Sequence, residues 1–94
     1  MNKFVIIKCC DEFGLRFANI DFHKDLVHSC PCYGGGMFEF TEKEMILFGS
    51  SADFGEPQWE SIGENKIHID EDCKDLRILW KGEDITEKFI FDWI

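Results

Sequence analysis

The residues of this sequence best suited to chemistry are a histidine where one alternating stretch ends, a lysine near the start and a serine in a glycine-bounded loop. His23 stands where alternation gives way to a helical pattern, so the free amides of His23 and Lys24 can face an anion. An imidazole, unperturbed near ~6.5, can move a proton close to neutrality. Lys3 adds a cation and Ser51 a hydroxyl, groups able to hold phosphate oxygens. His23, Lys3, Lys24 and Ser51 thus supply what phosphoryl chemistry needs: donors for the oxygens and a titratable group for the proton.

Local patterns describe the elements that must position these groups. Residues 3–9 read as a buried strand and 15–22 as an alternating one, with Asp11, Glu12, Phe13 and Gly14 as the turn. Residues 23–28 lose alternation and predict a short helix, begun by Asp25 where the dipole favours an acid. A strand over 30–40 follows, interrupted by Gly34, Gly35 and Gly36, which permit a bulge or a close backbone approach. Thr41, Glu42 and Lys43 turn the chain into a return strand over 44–48. It empties into the loop 49–57, which Gly49 and Gly55 shape, so 30–57 is a glycine-led hairpin closing in a Gly/Ser loop.

Beyond Pro57, Trp59 and Ile62 suit a helix, whereas Gly63 and Asn65 oppose one and Ile67 and Ile69 alternate; the expectation is a helix. Residues 76–80 read as a strand. A capping-box spacing from Asp84 to Glu87, with Ile85, Phe89, Ile90, Trp93 and Ile94 on one helical face, predicts an amphipathic helix over about 85–94. The expected fold is α+β, a small mixed β-sheet with two or three short helices, in one domain over 1–94.

The run Cys30, Pro31, Cys32, Tyr33, Gly34, Gly35, Gly36, then a hairpin, then Phe48, Gly49, Ser50, Ser51, Ala52, Asp53, Phe54, Gly55, resembles the core of phosphohistidine phosphatases of the Janus/Ocnus type. That family shows C-x-C-x-G-G-G, a β-hairpin, and G-x-S-x-x-aromatic-G followed by Pro and a helix. Upstream, Lys3 to Lys8 is similar to the family's first core strand, which begins with a functional lysine. Phe22, His23, Lys24 and Asp25 are similar to its aromatic-His-x-Asp catalytic site. The resemblance implies a hydrolase that cleaves a phosphoramidate bond on a protein histidine or a small analogue, with no metal or other cofactor. It implies His23 as acid/base, Lys3 and Ser51 as phosphate holders, and the His23 and Lys24 amides as further donors.

The sequence also departs from the family. The family's helix after the catalytic His is longer by about 11 residues, roughly three turns. The loop between the first two strands is short here, and Met37 follows the triple glycine where a basic residue is familiar. The expected C-terminal helix is additional.

Plainer uses stand beside these. Cys30 and Cys32 alternate onto one strand face and fill core positions. His23, His28, Cys30 and Cys32 are four possible zinc ligands in order, but they lack the C-x2-C pairs of common zinc folds, so no metal is expected. The C-terminal apolar stripe covers core or makes a homodimer contact. A second functional class is a non-catalytic protein-interaction module, using an acidic face and the C-terminal helix.

Composition narrows the partners. Ninety-four residues with ten Phe and three Trp can fill one core without metals or crosslinks. A formal charge of −9, with no basic cluster, disfavours nucleic acid and anionic membranes. The apolar run at residues 4–7 is too short for a signal or a membrane span. Five cysteines, an odd number, suit reduced thiols in a cytoplasm. The expected partner is a phosphorylated protein or a small phosphoramidate.

Overall fold

A computed structural model describes residues 1–93 of the chain. Strands β1 (Asn2–Cys9) and β2 (Glu12–Asn19) form an antiparallel hairpin. Its turn is Cys10 and Asp11, with φ of 51° and 68°. Two positive φ angles give the tight reversal whose twist matches the flanking strands. Glu12 to Gly14, expected as the turn, therefore lie inside β2. A second hairpin joins β3 (Cys32–Phe40) to β4 (Glu44–Phe48) through Thr41, Glu42 and Lys43, as expected. The remaining strands are β5 (Ile67–Asp70), β6 (Arg77–Trp80), β7 (Glu83–Asp84) and β8 (Phe89–Trp93).

All eight belong to one mixed sheet, ordered β7-β6-β4-β3-β1-β2-β5-β8, which curls into a half barrel. The pairs β2–β5, β4–β6 and β5–β8 are parallel. Phe4, Ile6, Leu15, Phe38, Leu47, Ile67 and Ile78 project into one buried cluster. Val5 and Ile7 are also fully buried, but they alternate onto the opposite face of β1. That second face is where the His23 turn packs.

The α+β expectation is overturned: the chain is mostly β, and no described helix exceeds four residues. Residues 23–28 give a 3-10 turn, His23–Leu26, rather than an α-helix. After Pro57 a single α-helical turn, Trp59–Ile62, ends at Gly63, and the Ile67/Ile69 alternation is indeed a strand. The C-terminal helix expected over about 85–94 is absent from the described residues. A 3-10 turn, Thr86–Lys88, leads instead into β8.

Burial explains the change. Phe89 is buried, Ile90 exposed, Phe91 half-buried, Asp92 exposed and Trp93 half-buried, a period of two. Aromatic and β-branched residues fit that pleated surface, and pairing with β5 satisfies the backbone. Ile94, the last residue of the expected stripe, lies outside the described residues.

The expectation of reduced thiols is also corrected, because Cys9 and Cys30 form a disulfide. β1 and β3 run antiparallel, and Lys8 N–H bonds the Pro31 carbonyl at 3.0 Å. Continuing that pairing brings the two Cα atoms to 5.5 Å, within the span a disulfide needs. Cys10, Cys32 and Cys73 are free. No described helix is long and apolar enough to cross a membrane.

Candidate functional site

His23 opens the 3-10 turn directly after extended Phe22 and is 4% exposed. Its Nε2 lies 2.7 Å from the Gly36 carbonyl oxygen. A carbonyl only accepts, so in the neutral imidazole Nε2 carries the proton and Nδ1 keeps its lone pair. Nδ1 has no hydrogen-bond partner among the described residues. Among the described residues, Trp59 Nε1 is the one fully buried side-chain polar atom left without a partner.

The triple glycine makes this placement possible. β3 shifts register against β1 between Val5 and Ile7, where Gly34 takes φ 97°. A side chain on Gly34 would run into the Glu56 carbonyl, and one on Gly35 into the Phe4 carbonyl and, at 3.3 Å, His23 Cδ2. One on Gly36 would meet the Phe48 carbonyl. Three segments, β1, the loop 49–57 and the His23 ring, therefore close on one short run of bare backbone. Gly35 N–H donates to the Gly55 carbonyl at 3.0 Å, and Gln58 N–H to the Tyr33 carbonyl at 2.9 Å, tying the loop down. Gly49 and Gly55 sit at its two ends with φ of 72° and 74°.

Ser51 is 3% exposed within that loop. Its Oγ accepts from the Asp53 and Phe54 amides, each at 3.2 Å, so the hydroxyl shapes the turn and retains its own proton to donate. Lys3 Nζ donates to the Asp21 carbonyl, two residues before His23. Across the ladder Lys3 faces Met37, so the neighbouring strand position offers no second cation. The Lys24 ammonium lies 5.3 Å over the exposed Phe22 ring. Neither the His23 nor the Lys24 amide donates to a backbone carbonyl outside its own turn.

Lys3 pairs with Met37 and His23 bonds Gly36, so both adjoin one segment of β3, to which the loop of Ser51 is bonded at Gly35. The structure directs the Lys24 side chain to an exposed ring, leaving only that residue's amide for an anion. Cys32 points its thiol at the Gly34 carbonyl, 3.5 Å away, and burial pushes its pKa up despite that bond. A raised thiol is a poor nucleophile near neutrality.

Two partners escaped the sequence reading: the Gly36 and Asp21 carbonyls, which hold the histidine and the lysine. Backbone acceptors leave no residue-type signal. A second constellation escaped as well. His68 on β5 places Nδ1 2.7 Å from Asp92 Oδ1 and Nε2 3.7 Å from Glu12 Oε2. Its ring stacks on Trp93 at 6.1 Å and 14°. The Trp93 indole covers Gly14, where any Cβ would collide with it. The alternation of Ile67, His68 and Ile69 is the signal that could have placed His68 on the outer face.

No protein-family model matches the chain, and no curated protein matches it.

Proposed function

We propose that the chain is a phosphohistidine-phosphatase-like hydrolase that cleaves a phosphoramidate bond without a metal. The observation that carries this reading is the buried His23, with Nε2 fixed on the Gly36 carbonyl and Nδ1 left with its lone pair. In the proposed reaction His23 Nδ1 takes a proton from water as the water oxygen forms a bond to phosphorus. The P–N bond breaks with its electron pair on the departing nitrogen, which takes a proton from solvent, and the His23 imidazolium then returns its proton to solvent. Lys3 and the Ser51 hydroxyl hold phosphoryl oxygens, and the His23 and Lys24 amides add donors. Lys3 exchanges the Asp21 carbonyl for the anion. Such catalysis rests on positioning and charge stabilisation, for which fixed donors are suited.

The motif order and the convergence of its parts on Gly34 to Gly36 support the reading. The cytoplasm is its proposed compartment, and the Cys9–Cys30 bond is the observation that weighs against it, because disulfides are rare in reducing compartments. The interaction-module reading loses the C-terminal helix on which it was built, since Phe89–Trp93 is β8.

Phosphate release from phosphohistidine and from phosphoramidate, followed over about pH 6 to 9, tests the proposal. Wild type releasing no more phosphate than His23→Ala would overturn it.

A further inference from the structure

Beside the same 3-10 turn, but apart from the His23 constellation, lies an open cavity of about 310 Å³. Its walls carry Arg16 from β2, Leu26 from the turn, Asp70 at the end of β5 and Trp93 from β8. Arg16 and Asp70 face one cavity with opposite charges, yet neither belongs to an ion pair among the described residues. In a chain with nineteen acidic residues, an arginine without a carboxylate partner among the described residues is conspicuous.

Both charges are held in place by the backbone. Arg16 Nη1 donates to the Leu26 carbonyl at 3.2 Å, and the rest of the guanidinium fork has no partner among the described residues. Asp70 Oδ1 accepts from the Asp72 amide at 2.9 Å, and its other oxygen has no partner among the described residues. The Trp93 indole is fixed by His68 on one side and by Gly14 beneath its edge. A cation, an anion and a flat apolar surface are therefore set around one space before anything binds.

Charge decides the ligand class. A simple anion gains Arg16 but meets Asp70, and a simple cation meets the reverse. A zwitterion satisfies both. The indole favours a planar substituent. The volume stands near the ~300 Å³ lower bound of ligand pockets, which selects a small molecule. We propose that this cavity binds a small zwitterion of the α-amino-acid class with a flat side chain, its carboxylate on Arg16 and its ammonium on Asp70. The proposal does not depend on the reaction assigned to His23.

The test is an NMR titration of the ¹⁵N-labelled protein with three probes: L-histidine, histamine, which lacks the carboxylate, and imidazole-4-acetate, which lacks the amine. L-Histidine is expected to shift the Arg16 side-chain and Trp93 indole N–H resonances saturably. Each truncated probe should bind about tenfold more weakly, the value of one charged hydrogen bond. Asp70→Asn keeps an acceptor for the Asp72 amide, since Asn caps as well as Asp. It should weaken L-histidine about tenfold and leave imidazole-4-acetate no weaker. Arg16→Gln should do the same with histamine as the insensitive probe. Should Arg16→Gln loosen the turn through Leu26, Asp70→Asn still decides. Equal affinity for the three probes, no saturable shift at Arg16 and Trp93, or undiminished L-histidine binding by Asp70→Asn would each overturn the proposal.

Discussion

Two regions of this molecule are organised around a histidine, and they use it in opposite ways. Near the centre of the sheet, buried His23 gives one nitrogen to a neutral backbone carbonyl and keeps the other unpartnered. Toward the β8 edge, His68 has a carboxylate near each nitrogen and an indole against its face. The first arrangement orients a ring and leaves a lone pair for work; the second occupies the ring. His68 joins the start of β2 to β5 and β8, a clamp on an edge strand. Proximity to carboxylates, often read as a sign of catalysis, marks structure here, and the bare glycine backbone marks the candidate for chemistry.

The strongest way to break this contrast is to remove each ring in turn. His23→Ala should lower phosphoramidate hydrolysis by about a hundredfold to ten-thousandfold, the usual contribution of a general acid or base. His68→Ala should leave the rate constant for a folded sample unchanged. Equal losses in the two variants would erase the distinction.

Smaller effects sharpen it. Replacing Cys9 and Cys30 by Ser should cost about 3 kcal/mol in urea unfolding, because the bridge closes a loop of sequence separation 21 that includes the His23 turn. The β5–β8 edge has no such crosslink. Gly35→Ala should cost roughly 1–3 kcal/mol, since the added methyl meets the Phe4 carbonyl and presses on His23. Its hydrolysis rate should fall further than its stability alone explains, which parallel kinetic and melting measurements would show. Last, His68→Ala should cost at most about 1 kcal/mol, and at an acidic pH where imidazole is charged the loss should shrink in high salt, because Glu12 and Asp92 are exposed acids. A salt-independent loss would mean that the Trp93 stack, rather than charge, does the clamping.

The two regions also differ in how far the sequence discloses them. Both hairpins were legible because a turn sits between their strands: Thr41 to Lys43 between β3 and β4, and a polar break after Cys9 between β1 and β2. The β2–β5, β4–β6 and β5–β8 pairs are parallel, so their partners are distant and no turn announces them. With the partner unknown, Phe89, Ile90 and Trp93 fitted a helical stripe as well as an alternating one. Phe91 decides the matter only when β5 is seen beside it.

At the site, His23 and the glycines were legible as residue types in order. What holds them was not, because the Gly36 and Asp21 carbonyls belong to the backbone. The disulfide was missed for a related reason. An odd cysteine count argued against pairing, and only the β1–β3 register shows that Cys9 and Cys30 must meet.

The bond from His23 to the Gly36 carbonyl also has a spectroscopic consequence. With Nε2 protonated and Nδ1 not, the two ring nitrogens are a pyrrole-type and a pyridine-type atom, and their ¹⁵N frequencies lie far apart. Any event at Nδ1, whether protonation or attachment of a phosphoryl group, converts that atom from one type toward the other while Nε2 stays anchored. The imidazole would therefore report engagement of Nδ1 in a single labelled sample, and splitting of that signal by phosphorus would separate attachment of a phosphoryl group from protonation.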